Sequence, residues 1–272
     1  MASLPRKRPR TIRVLSWNVA KRRDCRAQVE ALLALKPDIV VLQELNGRTW
    51  PRHRESLVAA GLTEATSAVE LAAVGRSSDR SLPCFVAVAS RWRLVASDPA
   101  PVPAAEAVAC LSVNSPAGSF DLVGVHIPTY GRADRVLKVE TQEGLIERLA
   151  GLSMPTLLCG DFNSPFAEER DGMVIPFARR RAERQHMAEA ALMGLTNSSG
   201  LVDLFRKRHG YSVDAYSWYW KNRGKTGGYR LDHIFASRQF TVRACDYVHE
   251  WRSEGLSDHS AIYADVTLSE GR

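Results

Sequence analysis

Short apolar runs, several rich in Val and Ile, recur along the whole chain and predict β-strands. They cover Ile12–Val19, Asp38–Gln43, Cys84–Ala89, Ala107–Asn114, Phe120–Ile127, Thr156–Gly160, Leu231–Ser237, Phe240–Val248 and Ser260–Leu268. Three stretches read instead as helices. Asp24 can cap one whose apolar positions Val29, Leu32, Leu33 and Leu35 lie on one side. A second spans about Ala133–Leu149, with Val136, Val139, Leu145, Ile146 and Leu149 at helical spacing, and a third Glu183–Met193. Helices alternate with strands in the first fifty residues and around 120–160. Strands follow one another directly over 84–127 and 216–268. That mixture predicts an α/β protein with mixed or antiparallel sheets. Repeats, low-complexity tracts and linkers are absent from the sequence, Pro99–Pro103 reads as a loop, and 162–200 is a charged, loop-rich segment suited to covering a site. The expected organisation is a flexible basic leader, 1–10, followed by one catalytic domain, 11–272.

Composition narrows the class. The 272 residues are 45% hydrophobic and 25% charged, which supports a packed core and argues against disorder. The apolar runs fall well short of the roughly 20 residues a membrane helix needs. The basic start has no apolar stretch after it, unlike a secretory signal. Five scattered cysteines make no CxxC, and Cys84, Cys110 and Cys159 lie in strand-like runs where buried free thiols are expected. A reducing, cytoplasmic setting, no membrane and a monomer are the expectations. Net charge is +7. Arg6, Lys7, Arg8, Arg10 and Arg13 lie in an acid-free start. Arg206, Lys207, Arg208, Lys221, Arg223, Lys225 and Arg230 face Asp214 alone within 204–231, so the rest of the chain is net negative.

Polar residues interrupt the strand pattern at a recurring place, the strand end. Ile12–Trp17 runs into Asn18, Asp38–Gln43 into Glu44, Leu122–Val125 into His126, and Thr156–Gly160 into Asp161 with Asn163 beyond it. Asp232 and His233 lie just inside Arg230–Ser237, and Asp258-His259 immediately precedes the run from Ser260. A single polar residue there is ordinarily a cap or turn former. Repeated at so many ends, the pattern implies convergence on one sheet edge, where ligands commonly bind. The set supplies hard carboxylate oxygens, imidazoles and amides. Mg2+ or Mn2+ selects oxygen ligands and keeps several waters, so one or two carboxylates suffice. HExxH and CxxC zinc patterns are missing. Metal-assisted attack of water on phosphate is the chemistry this predicts.

Ser16-Trp-Asn18, Leu42-Gln-Glu44, Gly160-Asp-Phe-Asn163, Arg230-Leu-Asp232 and Ser257-Asp-His259 come in the order and approximate spacing of the endonuclease/exonuclease/phosphatase superfamily. The chain resembles that superfamily from position 16 to 259. Tyr216-Ser-Trp-Tyr-Trp220 followed by Tyr229-Arg-Leu-Asp232 is similar to the exonuclease III/AP-endonuclease branch. Inositol polyphosphate phosphatases have a Cys-Asp-Arg segment where this chain has Leu-Asp-His. The resemblance implies a four-layer α/β sandwich, two mixed β-sheets packed face to face and flanked by helices.

It also implies roles. Glu44 would ligate the metal, with Asp258 assisting through water. Asp161 would orient or deprotonate the attacking water, or protonate the leaving oxygen. Asn163 would hold the scissile phosphate and Asn18 would position Asp161. His259 would contact the phosphate or act as base, with Asp232 fixing its tautomer and favouring its charged form. In His126-Ile-Pro-Thr-Tyr-Gly-Arg132, AP endonucleases carry Tyr where His126 stands. A histidine there is similar to pancreatic-type deoxyribonucleases, which use two histidines at phosphate. Arg132 matches a DNA-touching arginine of the AP-endonuclease branch, and Tyr130 supplies a nearby phenol. AP endonucleases also carry an Asp two residues after the first-motif Asn. This chain has Ala20, which removes one metal-site carboxylate and weakens the transfer of abasic-site specificity.

Trp218, Tyr219, Trp220 and Tyr229 interleave with Lys221, Arg223 and Lys225, a composition suited to stacking on bases and holding a phosphate backbone. By strand alternation Trp218 and Trp220 share one face. Arg179-Arg-Arg181 with Arg184 reads equally as a phosphate contact or as solvated helix surface. The leading expectation is a Mg2+- or Mn2+-dependent phosphodiesterase acting on nucleic acid, DNA foremost, as an endonuclease or 3′-exonuclease. A phosphoesterase for a small molecule or phospholipid head group is the alternative on the same scaffold. An inactive binding module is a third reading, opposed by the intact Glu44, Asp161, Asn163, Asp232 and His259.

Overall fold

The structure, a computed structural model, describes residues 10–22, 25–73, 83–129, 135–177 and 182–269. Two six-stranded sheets form its centre. The first, in spatial order, is β15 (Phe240–Val248), β16 (Ala261–Leu268), β1 (Thr11–Asn18), β2 (Ile39–Leu45), β4 (Phe85–Ser90) and β3 (Glu64–Ser67). The second is β11 (Val202–Asp203), β14 (Asp232–Ala236), β8 (Thr156–Asp161), β7 (Gly118–His126), β6 (Val108–Ser115) and β5 (Arg93–Ala96). Each sheet has one parallel pair, β1/β2 and β7/β8, and its other neighbours are antiparallel. A parallel pair needs a crossover. Helix α1 (Arg26–Ala34) supplies it in the first sheet and α4 (Arg135–Ala150) in the second.

The strands read as unbroken apolar runs because both of their faces are buried. Val14, Val41, Val88, Leu122, Cys159 and Ile262 point into the layer shared by the two sheets. Their sequence neighbours Leu15, Val40 and Leu42 point outward, beneath Val29 and Leu32 of α1 and Trp50 and Leu57 of α2 (Trp50–Ala59). On the far side Val123, Val125, Leu158 and Phe235 meet Leu145 and Leu149 of α4 and Leu192 of α5 (Glu183–Met193). Helix, sheet, sheet, helix is the expected four-layer α/β sandwich. Two small ribbons lie outside the sheets, β9 (Ala167–Glu168) with β10 (Val174–Ile175) and β12 (Trp218–Asn222) with β13 (Lys225–Tyr229), and the short helices α3 (Ala68–Ala73) and α6 (Leu195–Ser198) lie in the connections.

Two expectations shift locally. Asp24 lies outside the described residues, and Cys25 stands at the N-cap of α1 without a side-chain cap. Helix α2 escapes the periodicity because its buried face is Trp50, His53 and Leu57, so a histidine interrupts the apolar stripe. The free thiols at Cys84, Cys110 and Cys159 are buried, as expected.

Beneath the ribbons lies a network of buried ions. Glu168 of β9 accepts from Arg230 Nε (2.7 Å) and Nη2 (2.6 Å) and from Arg206 Nη2 (2.7 Å). Asp203 accepts from Arg230 Nη2 (2.8 Å) and, through Oδ1, from the Arg206 amide (3.0 Å) at the start of α7 (Leu204–His209). Burial alone would raise the Glu168 carboxyl, but the two guanidiniums outweigh it and hold it down at about 2. Burial opposes the Asp203 charge as well, yet Arg230 and His233 keep it well below the carboxylate range. A carboxyl more acidic folded than unfolded stabilises the fold above its unfolded value, and that contribution is lost as pH falls toward the folded one. For Glu168 the window runs from 4.5 down to about 2. Glu168→Gln is expected to cost about 3–5 kcal/mol at pH 7, because two buried cations lose a partner. It should also flatten the loss of stability below pH 4.5, measured by urea unfolding across pH. An acid limb identical to wild type would show that Glu168 does not set it.

Candidate active site

The strand directions bring the polar ends together. β1, β2, β7 and β8 finish at one edge, and the antiparallel β14 and β16 begin there, so Asp232 pairs in register with Asp161 and His126 flanks Asp161 on the other side. Alternation sends Val14, Ser16 and Asn18 inward from one sheet and Leu157, Cys159 and Asp161 inward from the other. Asn18 and Asp161 therefore meet between the sheets, Asn18 Nδ2 donating to Asp161 Oδ2 at 2.9 Å. Gly160 sits at φ +152°, where an added Cβ would overlap the Val125 carbonyl, so only glycine permits this approach to Asp161. Glu44 escapes alternation by a different device. The β2–β4 register shifts between Leu42 and Leu45, and Glu44 itself is left-handed at φ +60°.

Left-handed non-glycine residues cost energy and cluster where the surrounding structure holds them. Ala20, Lys21, Glu44 and Asn163 are all such residues. Asn163, at φ +47°, is held on three sides. Its amide donates to Asp161 Oδ1 (2.9 Å), its Nδ2 donates to the Ile127 carbonyl (2.8 Å), and its own carbonyl accepts from Lys138 Nζ (2.6 Å). Asp161 thus receives an Asn163 amide on one oxygen and an Asn18 amide on the other, and is 1% exposed.

Opposite stands a buried ion pair. His259 Nδ1 donates to Asp232 Oδ2 at 2.8 Å, and its Nε2 lies 3.9 Å from Asp161 Oδ2. Burial opposes an imidazolium, but the Asp232 and Asp161 carboxylates outweigh it and push His259 up to about 10. Burial raises the Asp232 carboxyl, against the His259 charge. Ser217 Oγ accepts from the Asp232 amide (3.1 Å), Ser257 Oγ from the His259 amide (3.2 Å), and Trp17 Nε1 donates to the His259 carbonyl (3.1 Å). His126 Nε2 lies 3.9 Å from both Asp161 Oδ2 and Glu44 Oε1. On the solvent side Lys21 Nζ approaches Glu44 Oε2 at 3.5 Å.

The remaining sequence candidates are spread along one rim. Asp258 is exposed and accepts from Trp218 Nε1 at 3.2 Å. Trp218 stacks on its cross-strand partner Tyr229 (centroids 6.1 Å, 9° between planes). Arg223, at φ +46°, turns the ribbon tip with Gly224, and Arg223 and Lys225 are exposed. Tyr130, Arg132 and Arg179–Arg181 lie outside the described residues. Arg184 forms an exposed pair with Glu143 (2.7 Å) and is a surface residue. Arg206 and Arg230 are locked in the buried network, so part of the basic segment faces the core. Sequence reasoning misses Lys138, because it falls inside an apolar helical stripe with only its charge to mark it. It is fully buried, its ammonium 5.7 Å from the Phe177 ring centre. Burial pushes that ammonium down to about 8, against the pull of Glu189 and Asp161.

The donor set fits a hard divalent cation. Asp161, Asp232 and His259 offer ligand atoms within 4.8 Å of one another, and buried Asp232 Oδ1 has no hydrogen-bond partner among the described residues. The imidazole is occupied by its proton and Asp232, so oxygen donors dominate, with Glu44 at the open side.

The profile of the Endonuclease/Exonuclease/phosphatase family matches residues 15–259. The chain belongs to that family. It is a metal-dependent phosphoesterase, a hydrolase acting on ester bonds. Among solved structures the chain is similar to an endonuclease/exonuclease/phosphatase from Beutenbergia cavernae DSM 12333, with 19% identity, TM-score 0.66, and coverage of 96% of this chain and 72% of that one. It is also similar to D. rerio TDP2 complexed with single strand DNA product (14%, TM-score 0.65, covering 95% and 99%). A third is a 3′ phosphatase, NExo from Neisseria, bound to product DNA hairpin (21%, TM-score 0.63, covering 93% and 98%). Curated protein sequences give no significant match. No described helix is long and apolar enough to cross a membrane.

Within this phosphoesterase, Lys138→Met keeps the side-chain length but leaves the Asn163 carbonyl without its donor. It is expected to lower kcat by about 10²-fold through misplacement of the Asp161–Asn163 turn, with a smaller change in KM, measured by steady-state hydrolysis. Unchanged kcat would mean that the turn holds itself.

Proposed function

We propose that the protein hydrolyses phosphodiester bonds of nucleic acid, DNA foremost, as an endonuclease or 3′-exonuclease dependent on Mg2+ or Mn2+. The observation that carries this is the juxtaposition of a clamped carboxylate and a buried imidazolium with an exposed, basic, aromatic ribbon. The DNA products named with TDP2 and NExo support the substrate class.

Glu44 would hold the cation, with Asp258 reaching it through water. When bound, the cation neutralises phosphate charge and lowers the pKa of water. Asn163 retains one Nδ2 hydrogen for a phosphate oxygen, the other being taken by Ile127. The His259 imidazolium presents Nε2–H toward the same place, with Asp232 fixing the ring, and stabilises charge building on the phosphate. His126 faces it from the second sheet. Asp161 keeps its carboxylate oriented by Asn18 and Asn163, and it accepts the proton of the attacking water. Trp218 and Tyr229 supply faces for bases, and Arg223 and Lys225 meet the backbone beyond the cut.

EDTA is expected to abolish cleavage of oligonucleotides, with Mg2+ or Mn2+ restoring it. Glu44→Gln should raise the metal concentration needed for half activity, and His259→Ala should lower kcat by about 10²–10³-fold, both with unchanged circular dichroism. Near-normal behaviour of both variants would overturn the site. Inertness toward duplex, abasic and single-stranded DNA and RNA would overturn the substrate class.

Salt separates a nucleic acid from a small or neutral substrate. Log kcat/KM is expected to fall linearly with log salt on an oligonucleotide. Arg223→Ala with Lys225→Ala should reduce that slope by about 0.7–0.9 for each phosphate no longer neutralised. A slope near zero for the wild type would favour the small-molecule or head-group reading.

A further inference from the structure

Beside the Trp218–Tyr229 stack, against the β12–β13 ribbon, lies a cavity of about 300 Å³. Its walls are aromatic: Phe166, Tyr211, Tyr216, Trp220 and Tyr229. We propose that this cavity binds one unstacked nucleobase of the strand whose phosphate is cut. The proposal rests on the nucleic-acid reading above and deepens it, because it makes the enzyme grip a base displaced from its stack.

Size is the first reason. The volume lies at the small end of ligand pockets, enough for one base and its sugar and too small for a duplex. Chemistry is the second. Faces of this kind stack on any planar ring, so they bind a base without reading its identity. Charge is the third. Of the ionic side chains lining the cavity, Glu168, Arg206 and Arg230 are already paired at 2.6–2.7 Å, and Asp203 behind them takes Arg230 at 2.8 Å, so two guanidiniums meet two carboxylates and present a balanced wall to a neutral ring. Asp214, exposed at the rim and without an ion-pair partner among the described residues, is placed to accept from a base N–H.

The walls are also built in advance. In the ribbon Trp220 lies opposite Gly227, where an added Cβ would come within 2.5 Å of the indole. At Gly228 an added Cβ would come within 2.6 Å of Tyr216. Only glycine lets these rings lie flat on the backbone, which fixes them before any ligand arrives. Position is the last reason. Tyr229 is shared, since its ring pairs with Trp218, whose indole nitrogen donates to Asp258 beside His259. A base in the cavity is therefore one aromatic ring away from the rim of the phosphate site, and Lys221 and Lys225 stand exposed along the same ribbon for its flanking phosphates.

The test compares a nucleotide with its baseless counterpart, dAMP and deoxyribose 5-phosphate, by titration of the full chain in EDTA with tryptophan fluorescence and calorimetry. The wild type is expected to prefer dAMP by about tenfold or more, the size of one stacked base. Trp220→Ala and Phe166→Ala should each bring that preference to within about twofold, leave affinity for deoxyribose 5-phosphate unchanged, and keep the wild-type circular dichroism. Phe166→Tyr should retain the preference. Because the Phe166 ring is half exposed, its variants carry the test even if Trp220→Ala fails to fold. Equal affinity of the wild type for both ligands, no saturable dAMP binding, or a preference that survives Phe166→Ala would overturn the proposal. So would tighter binding of tetramethylammonium than of dAMP, which would make the aromatic walls a cation cage. Cleavage of oligonucleotides alongside any of these results would refute the base pocket alone, whereas absence of cleavage across the substrate panel would refute the parent reading.

Discussion

The hydrogen bond from Asn18 Nδ2 to Asp161 Oδ2 joins the two sheets through polar groups instead of methyls. Away from this edge the layer between them is apolar, from Ile12 and Val14 to Val266, and further polar links across it, His259 to Asp232 and Tyr247 to the Asp232 carbonyl, lie at the same end. A buried carboxylate is tolerated only if its oxygens are satisfied, and Asp161 is satisfied from both sheets at once. The sandwich therefore has one relative placement of its halves that keeps this carboxylate paired. That placement also sets His126 and His259 at equal distance, 3.9 Å, from the same oxygen. The contacts that build the site are also contacts between the docked sheets.

Two groups of buried charge coexist within a few residues of each other, and they do different work. Around Arg230 the charges are matched: Glu168 and Asp203 take its Nε and Nη2 donors and Arg206 completes the set, leaving Nη1 as the one Arg230 donor without a hydrogen-bond partner among the described residues, so the cluster anchors β9, β11 and the ribbon base. Around Asp232 the balance is left incomplete. Oδ2 is bonded to His259 while Oδ1 has no hydrogen-bond partner among the described residues, and Asp161 faces two imidazoles at 3.9 Å. Incomplete satisfaction is costly in a folding core and useful where a charged substrate is to arrive. Asp232 and Arg230 are two residues apart, which ties the rigid network directly to the reactive one.

Much of this is legible in the sequence because strand ends announce themselves. An apolar run that stops at Asn, Glu, His or Asp leaves both its face and its terminus visible, so Asn18, His126, Asp161, Asp232 and His259 can be named from pattern. The parts that are not legible depend on tertiary burial. Lys138 looks like a solvated helix residue until α4 is laid on its sheet. Arg206 and Arg230 look like nucleic-acid contacts, yet Glu168, more than thirty residues earlier than either, claims both. Helix α2 hides behind His53. The cavity under the ribbon is invisible for the same reason, since Phe166, Tyr211 and Trp220 share no period and are collected only by the fold.

The first-motif loop shows how a departure from a family pattern can be read structurally. In AP endonucleases the second residue after the motif Asn is an Asp, and here it is Ala20. Asn18 Oδ1 accepts the Ala20 amide at 2.9 Å, and Ala20 and Lys21 are both left-handed, a conformation that carries the next side chain back over the site. What arrives is the Lys21 ammonium, 3.5 Å from Glu44 Oε2. A cation beside Glu44 lowers the negative charge available to a second metal ion and offers a ready partner to a phosphate oxygen. Electrostatics thus favour a site with fewer metal-site carboxylates and more fixed positive charge, set by two strained residues.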